Sequence, residues 1–183
     1  MKFAALVPHR DCRAAVEKYR RTLFARGFTG AFAFPAVAPL AFLGRPLDPA
    51  ELKNAALNLR ENLGEKKICC SGYSGYSTGN GSSAGLRFFG VTLDMPLLAF
   101  PTGAVLRQWE NPILAPALVF PEDGPEQLPV TGMPEPEISF RAAALANLAF
   151  TWMGNPLGIT GSHSFTWDLG PLFWLPRYSG KKP

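Results

Sequence analysis

Residues 34–43 read Phe-Pro-Ala-Val-Ala-Pro-Leu-Ala-Phe-Leu, and residues 111–120 read Asn-Pro-Ile-Leu-Ala-Pro-Ala-Leu-Val-Phe. Each run is apolar and carries one Ala-Pro pair, and the two runs fall in opposite halves of the 183-residue chain. Short apolar runs of this length are typical of buried strands. The repetition therefore predicts two related strands, one in each half of the fold.

The residues before the first run predict a strand and a helix. Residues 2–7 form a short apolar run that is typical of a strand. Asp11 is placed to cap a helix that extends to Arg26, and apolar side chains spaced by three and four predict one buried face on it. That face consists of Val16, Tyr19 and Leu23.

The residues after the first run contain the clearest helix signal in the chain. Asp48 is an N-cap residue, Pro49 takes the first helical position and Glu51 the third. The apolar stripe that follows predicts a helix with one buried face, which ends at Gly64. The stripe is formed by Leu52, Ala56, Leu59 and Leu63.

The remainder of the chain predicts mainly strands. Gly and Ser dominate residues 71–85, which predicts a loop. Residues 86–93 predict a strand and residues 104–110 a short helix. Apolar residues recur at every second position over 138–152, which predicts one long strand or two consecutive ones, and again over 163–169. This order of helices and strands predicts an α+β fold.

Composition narrows the class of protein. Hydrophobic residues make up 47% of the chain, enough for the core of one domain. The 18 basic and 14 acidic residues give a net charge of +4, which permits an anionic partner without requiring one. Cys12, Cys69 and Cys70 fit neither a disulfide framework nor a zinc site, so we expect no metal, no cofactor and a cytoplasmic location. No apolar stretch approaches the roughly 20 residues that cross a bilayer, so we expect no membrane partner.

Several segments resemble a known enzyme superfamily. Residues 2–8, followed by a basic helix, are similar to the first strand and helix of the two-histidine (2H) phosphoesterases, which include the bacterial RNA 2′,3′-cyclic phosphodiesterases formerly called 2′-5′ RNA ligases. Residues 39–44 resemble the family's active-site strand, which usually reads His-x-Thr-Leu-Ala-Phe-Leu-Gly. Residues 111–119 resemble the second active-site strand and residues 138–176 the closing strands, so the resemblance covers the whole chain.

The resemblance implies a particular architecture. A 2H fold is a single bilobal domain, here residues 1–183, whose pseudo-symmetric lobes correspond roughly to residues 1–90 and 91–183, with the chain free to cross between them. Antiparallel sheets of the two lobes face each other across a central cleft, and the helices lie outside. In the family each lobe supplies one His and one Thr or Ser to that cleft. One imidazole removes a proton, the other protonates the leaving oxygen, and the hydroxyls hold the phosphate.

Both His-x-Thr motifs are absent from this chain. The positions equivalent to the family's His and Thr are Val37 and Pro39 in the first run, and Leu114 and Pro116 in the second. None of these side chains transfers a proton or donates a hydrogen bond to a phosphate. The preferred hypothesis is a degenerate, catalytically silent member of the fold, with an apolar cleft that binds a ligand or partner. Of the two histidines, His9 precedes the first helix and is interpreted as a surface or capping residue.

Two alternatives remain open from the residues. One is a cyclic phosphodiesterase that uses His163 in place of the lost pair, with Arg87 or Arg141 contacting the phosphate or RNA. The other is an RNA- or nucleotide-binding module without chemistry, in which Tyr73 and Tyr76 stack on bases.

Overall fold

The computed structural model describes residues 1–77, 87–119, 133, 137–153 and 164–177. Within these ranges the chain forms two antiparallel sheets and two helices, which confirms the α+β prediction. The elements are β1 (Lys2–Pro8), α1 (Arg13–Ala25), β2 (Ala38–Leu43), α2 (Pro49–Leu63), β3 (Ile68–Ser77), β4 (Arg87–Asp94), β5 (Val105–Gln108), β6 (Ala117–Val119), β7 (Ser139–Phe140), β8 (Ala143–Met153), β9 (Ser164–Leu169) and β10 (Phe173–Trp174).

The first sheet has the strand order β10-β8-β1-β2-β5, and β9 also pairs with β8. Leu148 of β8 lies opposite Leu169 of β9, and Leu145 lies opposite Phe173 of β10, so β9 and β10 follow one another along the same edge. The second sheet has the order β6-β4-β3-β7. The alternation over residues 138–152 thus resolves into two consecutive strands, β7 and β8, that belong to different sheets.

Helix α2 forms as the sequence predicts. The Asp48 carboxylate accepts a hydrogen bond from the Glu51 N–H at 2.8 Å, and the Glu51 carboxylate accepts one from the Asp48 N–H at 2.8 Å, which completes a capping box. The helix ends at Gly64, whose φ of 55° lies in the left-handed region. Its apolar stripe is buried and packs on the first sheet, at β8 and β10.

Helix α1 begins differently from the prediction. Asp11 does not cap it, because residues 10–12 form a separate 3-10 turn that starts after His9, and the helix begins only at Arg13. The His9 Nδ1 instead accepts a long hydrogen bond, 3.4 Å, from the Asp11 N–H, so the capping role expected of His9 is confirmed. The predicted apolar face is buried, and the Tyr19 hydroxyl accepts a hydrogen bond from the Val91 N–H at 2.8 Å, which attaches α1 to the second sheet.

Two predicted elements are wrong in type or extent. Residues 104–110 contain no helix, because residues 105–108 pair with β2 as the edge strand β5. The predicted loop over residues 71–85 is wrong over residues 71–77, which continue β3 and pair with β4. Residues 78–86 lie outside the described ranges. In both cases pairing with another strand prevails over local residue preference.

Asn147 of β8 joins the first sheet to the segment that leads into α2. Its side-chain oxygen accepts a hydrogen bond from the Leu47 N–H at 2.9 Å, and its amide group donates to the Leu47 carbonyl at 2.7 Å. We expect Asn147→Ala to lower the free energy of unfolding by about 2 kcal/mol, because both backbone groups lose their partner. Urea denaturation measures this, and Thr151→Ala on the exposed side of β8 is the control, expected to change stability by less than about 0.5 kcal/mol. Equal effects of the two changes would contradict the role of Asn147.

Candidate functional site

The two apolar runs meet in the folded chain. The Ala115 N–H donates a hydrogen bond to the Val37 carbonyl at 2.8 Å, and the Leu118 N–H donates to the Gly30 carbonyl at 3.1 Å. Leu118 lies in β6 of the second sheet, whereas Val37 directly precedes β2 of the first sheet. The second run therefore connects the two sheets at the point where the first run enters β2.

The four residues that the sequence resemblance aligned with catalytic positions are buried. Val37 is 2% exposed and Leu114 is fully buried, and Pro39 and Pro116 are buried as well. Between Leu114 and Pro116, Ala115 adopts a φ of 43°, which is costly for a residue with a Cβ atom and is further disfavoured before proline. The meeting point of the two runs thus consists of aliphatic and imino side chains, with no group that transfers protons.

Beside this meeting point the two sheets contact each other through aromatic rings. We call this group the aromatic cluster, and Val37 and Leu118 pack within it. The ring centroids of Phe3 in β1 and Phe88 in β4 lie 6.3 Å apart, which brings one sheet against the other. The cluster comprises Phe3, Phe34, Phe42, Tyr76, Phe88, Trp109, Phe150, Trp152 and Phe165.

Tyr76 and Trp109 contribute two buried polar atoms to the aromatic cluster. Their rings stack with centroids 4.4 Å apart and planes inclined by 24°; Tyr76 lies in β3 of the second sheet, and Trp109 directly follows β5 of the first sheet. The Tyr76 hydroxyl and the Trp109 Nε1–H are both buried, and neither has a hydrogen-bond partner among the residues that the structure describes. Burial raises the pKa of the Tyr76 hydroxyl well above its ordinary value, so it stays protonated and able to donate.

Unpaired buried donors are uncommon and need an explanation. An indole N–H donates only, and a phenol hydroxyl both donates and accepts. In the aromatic cluster the Trp109 N–H and the Tyr76 hydroxyl thus offer two hydrogen-bond donors among mainly apolar side chains. The cluster also reaches the surface, because Phe42, Trp152 and Phe165 are only partly buried. This arrangement suits an apolar molecule that carries a hydrogen-bond acceptor.

The residues considered for phosphate or RNA contact are distributed over the second sheet and its surroundings. Tyr73 is partly buried and stacks on Phe89 at a centroid distance of 5.8 Å. Arg87 lies opposite Ser77 at one end of β3. Arg141 follows β7, which pairs with the opposite end of β3, so the structure does not bring the two arginines together.

Of the two histidines, the structure describes only His9. His163 lies outside the described residues. The His9 Nδ1 lies 2.9 Å from the Asp11 carboxylate, and the imidazole contributes to a cavity on another side of the fold from the aromatic cluster. Trp109 is the site residue that the sequence did not indicate. The only available signal was its aromatic character, within a segment predicted to be helical.

The described residues contain neither a metal site nor a membrane-spanning helix. Within them no three His, Cys, Asp or Glu side chains are grouped so as to hold a metal ion, and no helix is long and apolar enough to cross a membrane. Comparison of the chain with protein-family models, with curated proteins and with solved structures finds no match.

Proposed function

We propose that this chain is a non-catalytic ligand-binding protein on a scaffold resembling that of the 2H phosphoesterases, and that it binds its ligand at the aromatic cluster. The observation that carries the proposal is the stacked Tyr76–Trp109 pair, whose two buried polar atoms have no hydrogen-bond partner within the described part of the chain. Support also comes from the four positions equivalent to the family's His and Thr, which are aliphatic or imino and buried. Such a site excludes phosphate, because an anion there would lose its hydration without gaining a cationic partner.

The chemistry of the aromatic cluster specifies the ligand class. Phenyl, phenol and indole rings surround the two donors, and such rings favour contact with an apolar or aromatic molecule. The Trp109 N–H requires an acceptor, and the Tyr76 hydroxyl donates to the same kind of atom. A ring-bearing molecule with a carbonyl oxygen satisfies both requirements.

Two probes of nearly identical shape test the role of the unpaired donors. Acetophenone carries a carbonyl oxygen, and α-methylstyrene carries a methylene group at the same position. We expect the protein to bind acetophenone about fivefold more tightly in isothermal titration calorimetry, because only that probe accepts a hydrogen bond. In Trp109→Phe the preference should largely disappear, whereas Trp167→Phe, at an exposed residue of β9, should retain it. Equal affinity of the wild-type protein for both probes would overturn the proposal.

A second assay addresses the enzymatic alternative. We expect no hydrolysis of a dinucleotide ending in a 2′,3′-cyclic phosphate, because Val37 and Leu114 stand where the family has its acid and base. His163→Ala should therefore give the same baseline rate as the wild-type protein. Turnover that is lost in His163→Ala would establish the phosphodiesterase and remove the non-catalytic proposal.

A further inference from the structure

A cavity of about 400 Å³ lies between the turn after β1, the residues around β7 and the segment before β3. It shares no lining residue with the aromatic cluster. Five ionisable groups and a thiol contribute to its walls: His9, Asp11, Cys12, Lys67, Glu137 and Arg141. The composition of this cavity is therefore polar and charged, in contrast to that of the aromatic cluster.

Charged groups of both signs line this cavity. The Asp11 carboxylate lies 2.9 Å from the His9 Nδ1, and the imidazole is a cationic partner for it only when that nitrogen is protonated. Lys67, Arg141 and Glu137 are exposed, and within the described ranges none of their charged groups forms an ion pair or a side-chain hydrogen bond. Two cationic groups and one carboxylate thus remain available on the walls of one cavity.

The backbone that carries these groups is fixed from several sides. The His9 N–H donates to the Ala142 carbonyl at 2.9 Å, which ties the turn after β1 to the start of β8. The buried side chain of Arg60 in α2 donates to the Arg141 carbonyl at 2.7 Å. Lys67 stands one residue before β3, whose first residue pairs with Phe140. The walls are thus held in place while the charged ends remain free for a ligand.

We infer that this cavity is a second binding site, specific for a small zwitterion whose anionic group binds Lys67 and Arg141 and whose cationic group binds Glu137. A simple anion fits less well, because Glu137 repels it. A simple cation fits less well, because two positive groups repel it. Phosphoethanolamine, which carries a phosphate and an ammonium group on a short chain, has the required chemistry and fits within the cavity volume.

Replacing one charged residue at a time should change the affinities for two ligands in a pattern that a purely structural effect would not produce. We expect Arg141→Gln to weaken binding of both phosphoethanolamine and inorganic phosphate, each by about fivefold at low ionic strength. Glu137→Gln should weaken phosphoethanolamine by a similar factor, since its ammonium group loses its partner, yet it should strengthen inorganic phosphate. Lys66→Gln makes the same change of charge outside the lining and should leave both affinities within about twofold.

The fluorescence of Trp174 can report binding in this cavity. Its indole is half exposed and lies against the His9 ring with centroids 5.6 Å apart, so a ligand in the cavity should alter its fluorescence. Titration of the full chain, with Trp174→Phe to identify the contribution of this residue, gives the dissociation constants. The inference is overturned if phosphoethanolamine does not bind, or if Glu137→Gln weakens phosphoethanolamine and phosphate alike. Thermal unfolding of each variant verifies that it remains folded.

Discussion

Gly30→Ala is expected to remove about 3 kcal/mol from the free energy of unfolding. Gly30 packs directly on the backbone of Leu118, and a Cβ atom there would collide with the Leu118 carbonyl group, whose carbon would be 2.9 Å away. Because the atoms of the Leu118 carbonyl group belong to the backbone and not to a flexible side chain, the backbone of β6 would have to move to remove the collision. That movement would also weaken the hydrogen bond from the Leu118 N–H to the Gly30 carbonyl.

The consequence extends to the aromatic cluster, because Leu118 packs within it and the neighbouring Ala115–Val37 hydrogen bond joins the two apolar runs. Urea denaturation at neutral pH measures the loss. Gly170→Ala is the matched control: its Cβ atom would lie 3.6 Å from the Asn147 carbonyl oxygen, an ordinary contact, and its effect should stay within about 1 kcal/mol. A Gly30→Ala protein as stable as Gly170→Ala would show that residue 30 does not pack closely on β6.

The elements that the sequence predicted correctly are those specified by neighbouring residues. The capping box of α2 needs only Asp48, Pro49 and Glu51, and all three act locally. Strand β5 was missed because it pairs with β2, which lies far away in the sequence. The second part of β3 was missed because its Gly and Ser residues are typical of loops, although it pairs with β4, the next strand along the chain. A single sequence does not indicate which strands will pair.

The candidate site was only partly predictable for the same reason. Absence of acid, base and hydroxyl at positions 37, 39, 114 and 116 is visible in the sequence, and so is their apolar character. That Tyr76 meets Trp109 is not visible, because the two residues lie 33 positions apart in a chain of 183, one in β3 of the second sheet and the other directly after β5 of the first. The sequence assigned Tyr76 to a loop, where its ring would be free to stack on a base. In the structure its ring is already stacked on that of Trp109.

Val37→His is the change that distinguishes a buried meeting point from an open cleft. In an open, hydrated cleft of the 2H kind, a histidine at this position costs little. At a position 2% exposed among aromatic rings, we expect it to lower the free energy of unfolding by about 3 kcal/mol near neutral pH, because the imidazole loses water and displaces well-packed groups. Val37→Ile, which adds one methylene group and no polar atom, should cost less than about 1.5 kcal/mol.

The pH dependence of Val37→His adds a second criterion. Burial disfavours the charged imidazole, so its pKa in the folded protein should fall below the ordinary value of about 6.5. The unfolded chain then binds more protons than the folded one below that pH, and the variant should lose further stability as the pH falls, by up to about 1.4 kcal/mol per pH unit until the folded-state pKa is reached. Urea denaturation of Val37→His and Val37→Ile at pH 8 and pH 5.5 measures the difference. A stability gap between the two variants that is small and equal at both pH values would mean that water reaches this position, as it would in an open cleft.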